Sequence, residues 1–547
     1  MHKLTINPCY LTPNFLNGWM NECALNSGDF ATTKTTTVQL IKTPFRCCVL
    51  DDFVSECVDV YSTRVKTLRD QLTALAVVLK NNDFRFFESN VRDWMKVITG
   101  VPLNDQVDLT VSLYTQSDVL LCHDDELEDR RIAFVWYLVD EEWQSKDGGR
   151  LDLFGVDDNT QPISVVESVL PVPNRFVFFE VAPNSYHQVS EILTANKSRL
   201  SINGWFHGPP FERIESVPDV GLPLRPPVGD MTSELVSWMN GSYLKSRTVE
   251  QIQQKFERQS EIELTDFFNF SKGFLLIYRE GFVLKHFSVH RQAIDDLAML
   301  QHYKSLSFES LAEYSDTPCD SLKQMLLLLQ SESFGTLLCQ LTGVELDAMV
   351  SRSADEVKPE SDGEAAQENE QPAFKKRKRS SSYTGLSDNT ECDDEASCVL
   401  KSNKTKHRLH SSITTEASAS GYKYTMSVRR FSHGDYTLLH DASGDILPCL
   451  ELQFFLVPGK VSLHLFYEYL EDWTVDLGGY TSYIAKDEDE ELLTIVPRNN
   501  SVALVYRDLD TLRFVKYVNQ NVLAQSLTHP YFYDVHMTFH ERKDLDL

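Results

Sequence analysis

The segment Leu120–Asp125 joins a short apolar run to the pattern His-x-Asp. In an extended strand, alternate side chains share a face, so the pattern predicts that His123 and Asp125 point the same way. A neutral imidazole and a carboxylate on one face form a pair of metal ligands. The same alternation turns Asp124 to the opposite face and excludes it from the pair.

A third ligand and a cation follow downstream. His187 comes after an apolar run and an Ala-Pro-Asn-Ser turn, and Arg199 stands at the start of the next apolar run. Two histidines and one carboxylate are the ligand set of non-haem Fe(II) oxygenases, which leaves positions open for a bidentate 2-oxo acid and O2. Arg199 can then pair with the far carboxylate of 2-oxoglutarate, and Tyr137 is the candidate for an added hydrogen bond.

Each residue has a plainer interpretation when it is taken alone. His187 suits a surface turn, Arg199 an ordinary charge at a strand edge, and Tyr137 a core position. The pattern His-x-Asp is also common, since His433-Gly434-Asp435 fits it in a glycine-containing turn that the sequence gives no partners. The order and spacing of the whole set favour the iron site.

Short strands must position these residues. Runs rich in β-branched and aromatic residues, separated by turn residues, predict strands at 35–41, 46–50, 108–114, 132–139, 151–156, 176–181 and 201–206. Many short strands with turn signals indicate a barrel or a double-sheet jelly roll. Apolar residues at helical spacing predict helices at 63–80 and 93–98.

Composition divides the chain further. We assign residues 1–215 to a catalytic domain, 216–230 to a Pro-rich linker and 231–547 to a C-terminal domain that begins with a helical region at 231–350. Residues 351–420 contain few large apolar side chains and are predicted to be a disordered insertion. Its basic run Lys375–Arg379 predicts a nuclear-localisation signal; the alternative is a charge cluster that has no role as a signal.

The strands that return after residue 421 repeat the order of the first set. Aligning the two copies places Gly478-Gly479 at Gly148-Gly149 and His440 at His123. At the other functional positions the second copy has different residues: Ala442 for Asp125, Arg513 for His187 and Phe532 for Arg199. The second copy is therefore predicted to be a non-catalytic jelly roll, kept for packing or partner binding.

The length, composition and net charge of the chain limit the function classes. The chain has 547 residues, 42% of them hydrophobic, and eleven cysteines without a CxxC pair, which favours reduced thiols. No apolar run approaches the roughly 20 residues of a membrane span. The net charge of −28 disfavours direct binding to nucleic acid and suits attraction to a basic partner, although acidity also keeps a large protein soluble.

The segments 120–139, 148–154, 178–191 and 198–208 strongly resemble the 2-oxoglutarate- and Fe(II)-dependent ribosomal prolyl 3-hydroxylases of eukaryotes, and the resemblance covers nearly the whole chain. It implies a mainly β fold with flanking helices and two double-stranded β-helix (jelly-roll) domains, the first catalytic and the second metal-free. It also implies that Fe(II) binds His123, Asp125 and His187, and that 2-oxoglutarate binds Arg199 and Tyr137.

The resemblance further implies an activity and a setting. Members of the family hydroxylate C3 of one proline in a small-subunit ribosomal protein near the decoding centre and thereby affect translation accuracy and termination, with ascorbate as reductant. They occur in the nucleus and cytoplasm, some in stress granules. We therefore expect a ribosomal protein as partner, with no direct nucleic-acid or membrane binding. The alternatives are a related oxygenase acting on nucleic acid and a non-catalytic scaffold in translation control.

Overall fold

The computed structural model describes residues 4–13, 15–16, 30–31, 37–55, 85–127, 129–210, 222–269, 304–306, 320–346, 422–438, 447–457, 473–486, 491–524 and 530–540. The helix predicted at 63–80, the insertion at 351–420 and its basic run at 375–379 lie outside these residues and stay predictions. Within the described part of the chain, no helix is long and apolar enough to cross a membrane.

Strands dominate the described residues. In the first half they are β1 (Thr5–Ile6), β2 (Phe30–Ala31), β3 (Thr37–Ile41), β4 (Cys47–Leu50), β5 (Val54–Ser55), β6 (Val107–Tyr114), β7 (Leu120–His123), β8 (Arg130–Tyr137), β9 (Leu151–Val156), β10 (Pro162–Val169), β11 (Phe176–Glu180), β12 (His187–Val189) and β13 (Arg199–His207). In the second half they are β14 (Glu261–Leu264), β15 (Lys304–Leu306), β16 (Lys423–Ser432), β17 (Cys449–Leu456), β18 (Thr481–Ala485), β19 (Glu491–Ile495), β20 (Ser501–Arg507), β21 (Thr511–Val515) and β22 (Tyr531–His540).

The helices are α1 (Arg92–Thr99), α2 (Thr232–Trp238), α3 (Ser246–Gln259), α4 (Asp320–Leu329), α5 (Glu332–Thr342) and α6 (Asn521–Ala524). Helix α1 confirms the helix predicted at 93–98. The region 231–350 is not helical throughout, because α3 ends at Gln259, the next residue Ser260 is in the left-handed conformation, and the chain continues as β14. The four residues of β14 alternate between half-buried and buried, a pattern too short to separate a strand from a helix in the sequence.

The first domain is a double-sheet jelly roll. Its larger sheet has the order β2-β3-β4-β11-β8-β13-β6, and its smaller sheet has the order β10-β9-β12-β7. Neighbouring strands in both sheets are antiparallel. The predicted fold class, mainly β with flanking helices, is confirmed.

Alternation along the strands gives the larger sheet two different faces. Phe134, Trp136, Phe176 and Phe178 pack outward in one apolar cluster with α1. The intervening residues of the same strands, such as Tyr137, Val177 and Phe179, point inward between the two sheets. The outer face therefore supplies the larger apolar cluster, and the inner face combines a smaller apolar cluster with polar side chains.

The second domain repeats this plan. Its larger sheet has the order β14-β20-β17-β22-β16-β15 and its smaller sheet has the order β19-β18-β21. Helices α2, α3, α4 and α5 cover the outer face of the larger sheet in one buried apolar cluster. Before α2, the end of the predicted linker is already paired with this domain, since Arg225 forms a bridge with Tyr424.

Strand register supports the alignment of the two copies. Arg199 pairs with Tyr114 across β13 and β6, and Phe532 pairs with Phe431 in the corresponding strands β22 and β16. In the smaller sheets, His187 pairs with Leu153, and Arg513 pairs with Tyr483. Phe532 thus stands at the place of Arg199, and Arg513 at the place of His187. His440 and Ala442 lie outside the described residues, so the metal-free second domain stays a prediction.

Buried charged groups lie beside apolar residues on the inner face of the second domain. Glu451 accepts hydrogen bonds from Arg507 Nε at 2.6 Å and from the Tyr483 hydroxyl at 2.7 Å, and Arg513 Nε lies 3.5 Å from its Oε1. Burial alone would raise the pKa of Glu451, but the charges of Arg513 and Arg507 and the hydrogen bonds lower it. The carboxylate is therefore the anion that balances two buried guanidinium groups.

Replacement of Glu451 tests this network. Glu451→Gln keeps the side-chain shape but leaves Arg507 and Arg513 without their counter-charge, so we expect the free energy of unfolding to fall by about 3–5 kcal/mol. Urea unfolding measures the change, with the exposed Glu250→Gln on α3 as a control expected to stay within about 0.5 kcal/mol of wild type. Equal unfolding midpoints for the two variants would contradict the interpretation.

Candidate metal centre

The structure brings His123, Asp125 and His187 together between β7 and β12. One ligand atom from each lies within 4.8 Å of the others. Asp125 Oδ1 is 3.5 Å from His123 Nε2, and Asp125 Oδ2 is 3.3 Å from His187 Nε2. The two histidines are direct partners in the antiparallel register of β7 and β12, which places their rings 4.3 Å apart between centroids. The smaller sheet therefore positions both imidazoles.

Asp125 reaches the cluster by a route that differs from the predicted one. Strand β7 ends at His123, and Asp125 has a φ of 62°, so the two residues are not alternate members of one strand. A left-handed residue just beyond the strand turns the carboxylate back toward the imidazoles. Asp124 is not part of the cluster, as predicted, and its Oδ1 accepts a hydrogen bond from the Glu126 amide at 3.0 Å.

Backbone carbonyls orient both imidazole rings. His123 Nδ1 lies 2.7 Å from the Leu121 carbonyl oxygen, and His187 Nδ1 lies 2.8 Å from the Ser185 carbonyl oxygen. A carbonyl can only accept, so each Nδ1 carries the proton and each Nε2 keeps a lone pair directed into the cluster. This is the arrangement that metal-binding histidines use to fix their tautomer.

The electrostatics of the cluster favour the ligand forms of its residues. Burial lowers the pKa of His123, and His187 beside it adds to the decrease. Burial alone would raise the pKa of Asp125, but its interactions with His187, His123 and Trp205 lower it to about 2. A neutral imidazole and an ionised carboxylate are therefore present at neutral pH.

Arg199 and Tyr137 lie on the inner face of the larger sheet. Arg199 is 1% exposed; its Nε donates to the Gly149 carbonyl at 2.9 Å and its Nη1 to Ser201 Oγ at 3.3 Å. The guanidinium carbon is 4.9 Å from the ring centre of Tyr137 and 5.1 Å from that of Tyr114. Burial raises the pKa of Tyr137, and the charge of Arg199 partly offsets the increase. The protein thus holds one rigid, buried cation between two aromatic rings.

A double-glycine turn makes room for this arginine. Gly148 and Gly149 have φ values of 74° and 68°, which L side chains rarely adopt. A Cβ on Gly149 would lie 3.0 Å from Arg199 Cδ and 2.6 Å from Ile192 Cδ1. Glycine at position 149 therefore leaves the space that the Arg199 side chain needs to reach the Gly149 carbonyl.

Several residues beside the cluster were not predicted from the sequence. Arg130 Nη1 lies 4.0 Å from Asp125 Oδ1, and its guanidinium stacks over the Trp205 ring at 3.8 Å. Ser185 is buried in the turn before β12, where its Oγ lies within hydrogen-bonding distance of the Ala182 and Asp124 carbonyls. None of these residues forms a recognisable motif with the histidines, and only the folded geometry reveals them.

The donor set fits Fe(II). Atoms that share one ion at bond lengths of about 2.0–2.2 Å lie within about 4.4 Å of each other, and one ligand atom from each of the three residues lies within 4.8 Å of the others, which is close to that limit. Two imidazole nitrogens and one carboxylate also match the ligand preferences of non-haem iron.

Metal-binding measurements distinguish the role of Asp125 from that of its sequence neighbour Asp124. We expect Asp125→Ala to weaken Mn²⁺ binding by at least a hundredfold, because it removes the only anionic ligand in the cluster. Asp124→Ala is the matched control and should bind Mn²⁺ within about twofold of wild type, as measured by electron paramagnetic resonance titration. Equal loss in both variants, or in neither, would contradict the assignment of Asp125 as the ligand.

Comparison with known proteins identifies the family. Residues 109–207 match the model of the 2OG-Fe(II) oxygenase superfamily, and residues 296–546 match the model described as oxoglutarate and iron-dependent oxygenase degradation C-term. The chain is 34% identical over 523 residues to prolyl 3-hydroxylase OGFOD1 of Mus musculus, covering 89% of this chain and 87% of the relative.

Two further proteins are similar. The chain is 27% identical over 560 residues to prolyl 3-hydroxylase sudestada1 of Drosophila melanogaster, covering 95% of this chain and 88% of the relative. A crystal structure of a Pseudomonas putida prolyl-4-hydroxylase matches at 21% identity and a TM-score of 0.23, covering 35% of this chain and 94% of the bacterial one. The chain belongs to the prolyl 3-hydroxylase family of 2-oxoglutarate- and Fe(II)-dependent oxygenases.

Proposed function

We propose that this prolyl hydroxylase acts on C3 of a proline in a small-subunit ribosomal protein near the decoding centre, and thereby affects translation accuracy and termination. The observation that carries the oxygenase chemistry is the convergence of His123, Asp125 and His187. The relatives' names support a prolyl 3-hydroxylase. The net charge of −28 suits a basic substrate, as ribosomal proteins commonly are.

Each site residue has a defined task in this proposal. His123, Asp125 and His187 would hold Fe(II) and would leave coordination positions for 2-oxoglutarate and O2. When bound, the iron supplies the oxidation in which 2-oxoglutarate and O2 yield succinate and CO2 while the prolyl C–H becomes C–OH. The protein's own part is to bind and orient the two organic reactants and to limit the access of water.

Arg199 is the residue we assign to the far carboxylate of 2-oxoglutarate. Its guanidinium is buried and is fixed by hydrogen bonds to Gly149 and Ser201. A planar fork in this position can pair with a carboxylate bidentately. Tyr137 packs against the guanidinium and is assigned a supporting role in the same contact.

The cellular setting completes the proposal. Ascorbate serves as the reductant that keeps the iron in its divalent state. The protein works in the nucleus and the cytoplasm, and the basic run at 375–379 is the proposed import signal. The acidic surface charge disfavours a nucleic-acid substrate, because binding to a phosphate backbone requires a basic face.

Turnover of labelled 2-oxoglutarate tests the proposed reaction. The assay contains Fe(II), ascorbate and proline-containing peptides from small-subunit ribosomal proteins, and compares wild type with His123→Ala and Asp125→Ala. We expect both variants to lose at least 99% of the peptide-stimulated CO2 release, because the metal loses a ligand. Equal turnover in all three proteins would refute the iron site.

The product of the same reaction tests the substrate assignment. Fragmentation mass spectrometry should locate a single added oxygen on one proline, and comparison with 3-hydroxyproline and 4-hydroxyproline standards should identify C3. A matched peptide with alanine in place of that proline is the control and should remain unmodified. Oxygen on another residue type, or on C4, would overturn the proposed specificity.

A further inference from the structure

Among the described residues, hydrogen bonds from the second domain reach the first domain just beyond His187. His433 Nε2 lies 2.7 Å from Glu191 Oε2, and the Gln520 amide donates to Glu191 Oε1 at 2.8 Å. Gln520 Nε2 also donates to the Ile192 carbonyl at 2.9 Å. The turn His433-Gly434-Asp435, predicted to have no partners, therefore has one in the other domain.

Glu191 is a buried carboxylate whose bonding depends on the second domain. Glu191 is 3% exposed to solvent. Within the described part of the chain, the side-chain partners of Glu191 are His433, Tyr517 and the Gln520 amide, all from the second domain. A buried carboxylate is costly unless it is paired and hydrogen-bonded, so these contacts are needed to keep Glu191 in place.

The backbone around Glu191 connects the elements that carry the metal site. The Glu191 carbonyl accepts from the Gly149 amide at 3.1 Å, and the Gly149 carbonyl accepts from Arg199 Nε at 2.9 Å. Ile192 N donates to the Asp118 carbonyl at 3.1 Å, in the turn that leads into β7 and His123. Glu191 thus lies where three elements meet: β12, the turn that leads into β7, and the glycine turn that accepts a hydrogen bond from Arg199.

This junction has little room to adjust. A Cβ on Gly148 would lie 2.0 Å from the Glu191 carbonyl oxygen, so the chain segments are already at their closest approach. Gln188, the residue after His187, is also held, because its Nε2 donates to Asp152 Oδ2 at 3.0 Å and the Tyr436 hydroxyl lies 3.4 Å from its Oε1. A shift of Glu191 would therefore be transmitted to β12.

The contacting loops of the second domain are themselves fixed. Gly434 N donates to the Val518 carbonyl at 2.9 Å, and Val518 N donates to the Asp435 carbonyl at 3.0 Å. The first domain makes the same pair of bonds between Ile192 and the residues Ser117 and Asp118. Equivalent corners of the two jelly rolls thus face each other, and each is braced by its own backbone.

We propose that Glu191 is a positioning residue, through which the second domain holds β12 and its ligand His187 in the geometry that binds metal. This assignment gives the second jelly roll a part in the metal site without a metal of its own. It rests on the proposed iron site in the first domain. Glu191 acts through the backbone and does not itself touch the metal or the substrate.

The test is Mn²⁺ binding to the full chain, measured by electron paramagnetic resonance titration of wild type, Glu191→Gln and His433→Gln. We expect both variants to bind Mn²⁺ about tenfold more weakly, the lower end of the effect seen when outer partners of metal ligands are changed. His433→Gln is the decisive variant, because it changes only a turn of the second domain and leaves the first-domain sequence intact. The His433 side chain is also 30% exposed.

A matched control variant and the unfolding temperature of each variant distinguish the possible outcomes. Glu180→Gln, which removes a half-exposed first-domain carboxylate paired with Arg131, should leave Mn²⁺ affinity unchanged. If Glu191→Gln and His433→Gln lower only the unfolding temperature and bind Mn²⁺ like wild type, the contact is merely structural and the inference is overturned. If wild type itself fails to bind Mn²⁺, the proposed iron site is wrong, which is a different result.

Discussion

Two hydrogen bonds from histidine rings to backbone carbonyls determine the candidate metal site. The Leu121 and Ser185 carbonyls fix the Nδ1 protons, so the Nε2 lone pairs of His123 and His187 converge on Asp125. Leu121 belongs to β7, and Ser185 lies in the turn just before β12, the strand that pairs with β7. The ligand geometry therefore depends on strand pairing, and anything that shifts β7 against β12 changes the site.

The two domains show how one fold carries two different interiors. In both, apolar side chains on the outer face of the larger sheet pack against helices and supply most of the core. The inner face holds a smaller apolar cluster together with polar residues that differ between the two domains. In the first domain it presents Arg199 beside tyrosine rings, whereas in the second domain Phe532 stands at that place and Glu451 is buried with its arginine partners.

Local sequence patterns predicted many of the strands, but not β10 or β12, which are short or rich in polar residues. They also predicted the three residues of the metal cluster, because the order of His123, Asp125 and His187 can be read along the chain. They could not predict the positive φ of Asp125, since a left-handed residue next to a strand leaves no periodic signal. The contact between His433 and Glu191 joins residues 242 positions apart. Such a contact arises only when two folded domains meet.

In the proposed site, three side chains hold iron while Arg199 receives 2-oxoglutarate. The most direct measurement is a crystal structure of the full chain grown without oxygen in the presence of Fe(II) and 2-oxoglutarate. We expect iron bound to His123 Nε2, His187 Nε2 and an Asp125 oxygen, with the far carboxylate of 2-oxoglutarate paired to Arg199. Iron at any other residues, or that carboxylate paired with Arg130 instead, would contradict the account.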